Sequence, residues 1–265
     1  TNVVTAEGKV KIEDIVNNYV IFSDEAIYKK NQEIIITEGN SKGIDDKNRT
    51  ITSDKITYNK ITNVVTAEGK VKIEDIVNKY KIKTEKLNYF KNIDKITTIG
   101  PTEADIQKEY QITSKNVTFF LNTNQLSSKS KSTIKDLKNQ IYFLDEFTYF
   151  IDTSLLKGKN ILNITNYNLP KSDRFFFSDG IFNLKSKNFT ASDTKIDIHN
   201  NIFDNEKNDP RIYGVSSKGE KEFTTINKGI FTTCQKRDGC PPWLIQSQKI
   251  EHDRAKKQIQ YKNAI

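Results

Sequence analysis

Residues 1–17, TNVVTAEGKVKIEDIVN, recur without a change at 62–78, a displacement of 61. Repetition on this scale defines a unit that stacks on its neighbours, because one short unit cannot bury its apolar face alone. The finer period is half the displacement. YVIFSDEAIY (19–28), TITSDKITY (50–58), YKIKTEKLNY (80–89) and YQITSKNVTF (110–119) align on Ile21, Ile51, Ile82 and Ile112, at steps of 30, 31 and 30. A second column holds Ala26, Ile56, Leu87 and Val117, and a third, two residues on, holds Tyr28, Tyr58, Tyr89 and Phe119. Eleven residues later stand Gly39, Gly69 and Gly100, with Gly8 one repeat earlier and Ser130 in glycine's place one repeat later. Four residues before these come Val4, Ile35, Val65, Ile96 and Leu126.

Each unit reads as strand, polar turn, strand, with period-two alternation and no helical spacing. The five-residue step from Ile51 to Ile56 is odd, so a regular strand would place them on opposite faces. A bulge or corner at Ser53-Asp54 returns both to one side. The recurrent glycine marks a second irregular point. The pattern loosens through IYFLDEFTYF (141–150) and RFFFSDGIFNL (174–184). The expected fold is all-β and elongated: an antiparallel jellyroll of 30–31-residue repeats, two sheets facing each other around a thin interior, with open strand edges at its ends.

Composition fits a thin interior. Only 35% of residues are hydrophobic, and the 11 glycines still leave the chain below the roughly 45–50% apolar content of ordinary domains. Disorder is a poor alternative for a chain with 15 Phe, 11 Tyr and dense β-branched residues. There is no methionine, so the chain is expected to be part of a longer precursor. No run approaches the roughly 18 apolar residues of a membrane-crossing helix. We expect one continuous β-domain over 1–230 and a connector over 231–265, bounded by Gly229, the cysteine loop and Pro241-Pro242. The connector holds seven basic and three acidic residues, half of the net charge of +8. Such an excess suits an anionic surface or a lysine-rich solvated sheet.

No reactive constellation is legible. His199 and His252 are 53 residues apart in polar surroundings, and neither adjoins a nucleophile. His252, between Glu251 and Asp253, reads as a residue of a solvated strand or turn. Cys234 and Cys240 are too few for a structural zinc site, and no glycine-rich phosphate loop occurs. The expectation is therefore no enzyme, no cofactor and no metal. Phe175, Phe176 and Phe177 beside Arg174 imitate a nucleic-acid stacking platform, but consecutive residues of a strand alternate faces, so core plus rim is the better reading and no nucleic-acid partner is expected.

The unit Ile-x-Ser-Asp-x-Ile-x-Tyr followed by Val-Val-Thr-Ala-Glu-Gly-Lys-Val-Lys-Ile (51–58 and 64–73) resembles the OstA/LptA-type domain of lipopolysaccharide transport. The stretch 240–265, with Trp243, Ile245, Ile250, His252 and Asp253, resembles the end of the periplasmic domain in the LptD family, ahead of its outer-membrane barrel. The first resemblance covers 1–150 clearly and 151–230 weakly. It implies a β-taco whose apolar groove shelters the acyl chains of lipopolysaccharide at the periplasmic face of a Gram-negative outer membrane. The implied partners are lipopolysaccharide, an LptA-like bridge joined by edge-strand pairing, the chain's own barrel and an LptE-like lipoprotein.

In this reading the three columns, Ile21, Ala26, Tyr28, Ile51, Ile56, Tyr58, Ile82, Leu87, Tyr89, Ile112, Val117 and Phe119, line the groove. Near-identical linings would give lipid nearly equal energies at successive positions. The alternative is a structural or adhesive β-solenoid in which the same residues pack across a closed, dry core. In the periplasm, where thiols oxidise, Cys234 and Cys240 are expected in disulfides, either closing on each other or pairing with the barrel.

Overall fold

The computed structural model describes residues 2–16, 18–203, 208–236 and 241–265. The fold is all-β, with 68% of residues in antiparallel strands and 3% in helix, in a jellyroll-like arrangement. The chain divides into two compact units, Thr1–Ser130 and Lys131–Ile265.

Unit 1 begins with β1 (Val3–Asp14), β2 (Tyr19–Lys29), β3 (Ile34–Ile44), β4 (Thr50–Asn59) and β5 (Val64–Asp75). It continues with β6 (Tyr80–Phe90), β7 (Lys95–Ile106), β8 (Tyr110–Lys115), β9 (Thr118–Phe120) and β10 (Gln125–Ser128). Consecutive strands pair antiparallel from β1 to β7, β8 and β9 both pair with β7, and β10 pairs with β9. The turns are built by residues at positive φ that repeat with the unit: Glu33, Asn63, Asp94 and Asn124 form one such column. Three of these four are Asn or Asp, the side chains that tolerate the left-handed region best.

Every ladder from β1 to β7 slips once at mid-strand. The slips fall between Glu7 and Val10, Phe22 and Glu25, Glu38 and Ser41, Thr52 and Lys55, Glu68 and Val71, and Thr84 and Lys86. Both irregular points expected from the sequence are therefore present. Gly8, Gly39, Gly69 and Gly100 all have positive φ. At Gly69 there is a second reason for glycine, since a Cβ would lie 2.4 Å from Asp54 Oδ2. The slip changes the phase of β2, β4 and β6: in β4, Ile51 and Ser53 are buried before it and Ile56 and Tyr58 after it, whereas β3, β5 and β7 take up the extra residue at the glycine bulge and keep their phase. Each long strand is thus bent into two halves that turn their buried residues to a common interior. The halves lie in two facing leaves joined along the line of bulges, and the turns at the strand ends form the two lips of a mouth. Ring contacts join the leaves, Tyr19 to Tyr58 at 5.9 Å and Tyr80 to Phe119 at 4.9 Å. Pro101 lies inside β7 beside the Gly100 bulge, a site where the ladder tolerates a missing N–H.

Unit 2 contains β11 (Ser132–Asp136), β12 (Ile141–Leu144), β13 (Glu146–Phe150), β14 (Leu155–Ile164) and β15 (Arg174–Asn183). It ends with β16 (Phe189–Asp197), β17 (Arg211–Glu220), β18 (Phe223–Thr232), β19 (Ile245–Asp253) and β20 (Gln258–Ala264). Neighbours pair antiparallel, and β14 pairs with both β12 and β13. Phe175 and Phe177 are buried and Phe176 is half-buried, core plus rim. The segment 231–265 is not a bare connector. Pro241-Pro242 interrupts pairing only briefly, and β19 then adds to β18 along nearly its whole length.

The exact duplication isolates what burial depends on. In β5, Val65, Ala67, Val71 and Ile73 are all buried. The same sequence in β1 has Val4 47% exposed and Ala6 exposed, because β5 is covered by β4 and β6 whereas β1 pairs with β2. Val65→Ala should cost about 2 kcal/mol and Val4→Ala no more than about 0.5 kcal/mol in urea unfolding. Equal losses would overturn this assignment of the two strands.

Candidate functional site

The interior of unit 1 gathers the three predicted columns. Ile21, Ile51, Ile82 and Ile112 line one leaf; Ala26, Ile56, Leu87, Val117, Tyr58, Tyr89 and Phe119 line the other, and all are buried. Tyr28, at the open end of its column, is half-buried. The tyrosines are more than apolar lining. Tyr28 Oη donates to Glu33 Oε2 at 3.1 Å, Tyr58 Oη to Asn63 Oδ1 at 3.1 Å and Tyr89 Oη to Asp94 Oδ1 at 2.8 Å. Each ring sits in the interior while its hydroxyl is tied to the left-handed turn residue five positions on, the amphipathic division expected of tyrosine at a rim.

The mouth of this interior is crossed by cations. Lys60, on one lip, reaches Asp14 on the other at 3.7 Å. From the opposite lip, Arg49 Nη2 donates to Tyr89 Oη at 2.8 Å and approaches Asp94 Oδ1 at 3.4 Å, and Lys47 Nζ donates to Asp94 Oδ2 at 3.1 Å. Arg49 is itself buried and held by Asp45, whose Oδ2 accepts from Nε at 2.6 Å while Oδ1 accepts the Lys47 and Arg49 amides. Lys91 Nζ lies over the rings of Tyr19 and Tyr58, 4.8 and 5.1 Å from their centroids, a cation-π arrangement that joins both leaves.

Proton affinities follow this geometry. Burial pushes the phenols of Tyr19, Tyr80 and Tyr89 upward, and Tyr58 to about 12. Burial pulls the Lys91 ammonium down, against the attraction of Asp14, Asp45 and Asp46. For Asp94, burial opposes the charge but is outweighed by the hydrogen bonds from Tyr89 and Lys47 and by Arg49, which hold its carboxyl below the ordinary range.

Sequence reasoning missed these groups, though they repeat. Tyr19, Arg49, Tyr80 and Tyr110 occupy one register position, as do Lys30, Lys60, Lys91 and Leu121. Where Arg49 replaces tyrosine, a cavity of about 10 Å³ opens among residues that include Tyr19, Asp45, Arg49, Ile51, Ile73, Tyr89 and Ile96. That is at the lower limit for one water molecule.

Unit 2 has its own polar rim. Tyr142 of β12 and Phe182 of β15, strands that both pair with β14, bring their rings within 5.5 Å. Between the turn after β15 and the turn after β11, Lys187 Nζ donates to Asp136 Oδ2 at 2.7 Å and Gln140 Oε1 at 2.9 Å. His252 is not on a solvated strand or turn. It is fully buried, opposite Thr224 on β18, and among the described residues neither ring nitrogen has a hydrogen-bond partner. His199 Nδ1 lies 2.8 Å from Asp173 Oδ1. Among the described residues no cluster of His, Cys, Asp and Glu has the arrangement of a metal site. The Cys234 amide donates to Thr232 Oγ1 at 3.1 Å; Cys240, the other half of the expected disulfide pair, lies outside the described residues.

No protein-family model matches the chain, and no curated protein matches it.

Burial pushes the pKa of His252 down to about 4; Asp173 and Asp253 oppose the shift and Arg254 and His199 reinforce it. An unfolded histidine titrates near ~6.5, so below that pH the unfolded chain takes up a proton that the folded chain refuses. The stability from this site is full above pH ~6.5 and lost as pH falls through about 4, a change on the order of 3 kcal/mol. Urea unfolding at pH 7 and pH 4.5 should show a smaller acid loss for His252→Phe than for the wild type. Parallel pH profiles would place the acid sensitivity elsewhere.

Proposed function

We propose that the chain is an OstA/LptA-type lipopolysaccharide-transport domain, the periplasmic part of an LptD-like outer-membrane protein. It shelters lipid A acyl chains in the interior of the folded leaves and passes lipopolysaccharide from an LptA-like bridge toward a barrel and its LptE-like lipoprotein. The observation that carries this reading is the construction of unit 1: registered apolar columns repeat every 30–31 residues along one interior, and the leaves meet across the mouth through side chains. Side-chain bonds separate without dismantling a ladder, and each methylene then sheltered from water is worth about 0.8 kcal/mol. A bridge partner would join edge to edge, and the β4–β5 pairing displays the register in which a strand of this type meets the sequence that β1 and β5 share.

One observation favours the opposing reading, a structural β-solenoid with a closed dry core: the column residues are buried, and the cavity beside Arg49 is no larger than a water molecule. A titration with purified lipopolysaccharide separates the two. Transport predicts a rise in Tm of roughly 5 °C or more at ~100 times Kd, and photo-crosslinkers at Tyr58 or Leu87 that capture lipid in preference to surface sites. No rise, with capture confined to the surface, supports the solenoid.

A further inference from the structure

We infer that the ion pairs across the mouth of unit 1 are a latch, and that their release, rather than unfolding of the leaves, admits an acyl chain to the interior. The acyl ligand rests on the transport reading; the latch rests on geometry alone. Three observations carry it. First, the bridging groups come from opposite lips. Lys60 and Lys91 extend from the lip formed by the turns after β4 and β6; Lys47 and Arg49 extend from the turn between β3 and β4.

Second, the crossings concentrate on a few acceptors. Asp94 takes Lys47, Arg49 and the Tyr89 hydroxyl together, so loss of its one charge loosens three contacts. Third, the outer members are wet. The Lys47 side chain is 57% exposed, where water and salt replace a partner at little cost, while Lys60, 33% exposed, still has water at its own end although its partner Asp14 is buried. The fold line has the opposite character. It is continuous backbone with Ala67 and Leu87 fully buried beside it. The assembly is therefore weakest at the mouth and strongest at the bend, which is the arrangement of a hinge with a clasp. Anionic headgroups compete for the same lysines and arginine, so an anionic amphiphile loosens the clasp as its chains arrive.

The test uses the full chain and thiol labelling read by peptide mass spectrometry, so that the native cysteines are scored separately. Ile96→Cys reports the interior near the mouth and Ala67→Cys the interior near the fold line. Asp94→Asn should speed labelling at position 96 by about tenfold or more and leave position 67 nearly unchanged. If Asp94→Asn does not fold, Lys47→Gln combined with Lys60→Gln removes the outer bridges and should give the same pattern more weakly. Equal acceleration at 96 and 67, or none at either, overturns the latch.

Lipopolysaccharide uptake is measured on the same proteins and should be faster in the latch variants. If labelling responds as expected but lipopolysaccharide stabilises neither protein, the transport reading fails and the latch stands. If lipopolysaccharide binds and labelling does not respond, the latch fails and the transport reading stands.

Discussion

A β-strand presents its side chains with period two, so strands that fold over to line one interior with both of their halves must absorb the corner in their register. The rest of unit 1 depends on that corner. β4 shifts phase there between Ser53 and Ile56, while its partner β5 keeps burial at Val65, Ala67, Val71 and Ile73 and places its extra residue at the bulge, where Gly69-Lys70 face Asp54. Once the phase has shifted, Ile51 and Ile56 share an interior despite their odd spacing. The strand bends, two leaves form, and the turns are carried to a common mouth. A thin interior of this kind needs few apolar residues per unit length, which reconciles a 265-residue chain with its polar composition.

The same geometry places charge where it is found. Interior positions next to the fold line are surrounded by protein and carry aliphatic side chains or small hydroxyls, such as Thr37 with Ser41 and Thr98 with Thr102, which bond to each other. Positions near the mouth have water within reach, and there tyrosine, lysine, arginine and aspartate meet. Arg49 is the extreme case, buried yet charged because Asp45, Asp94 and Tyr89 satisfy it. Removing one partner from such a group strands the other, whereas the exposed pairs contribute little. This unevenness gives a buried interior a weak side.

Much of this was legible in the repeats. The columns at Ile21, Ala26 and Tyr28 and their successors placed the interior, and the odd step and recurrent glycine placed both irregular points. The cross-mouth contacts were not legible, although their members recur with the same period, because a column records which residues share a position and not which columns face each other. Asp94 and Lys47 are 47 residues apart in sequence and become neighbours only when the leaves close. His252 was misjudged for a related reason. Its flanking acids point to solvent on one face of β19, while alternation turns the histidine inward against Thr224.

The duplicated segment separates the two kinds of information. By itself, the shared VVTAEGKVKIED determines a strand, a positive-φ glycine bulge at its centre and a face of alternating apolar residues at both places, since conformation at that scale is set largely by local sterics and side-chain alternation; the copies differ at the bulge in that Lys70 takes a positive φ. Whether that face is core or surface was decided only by tertiary structure. Val65 lies between two neighbouring strands and has lost all contact with water; Val4, with the same residues on either side, pairs with β2 and remains half exposed. Burial belongs to the neighbours a strand acquires, and those are fixed by its place in the stack.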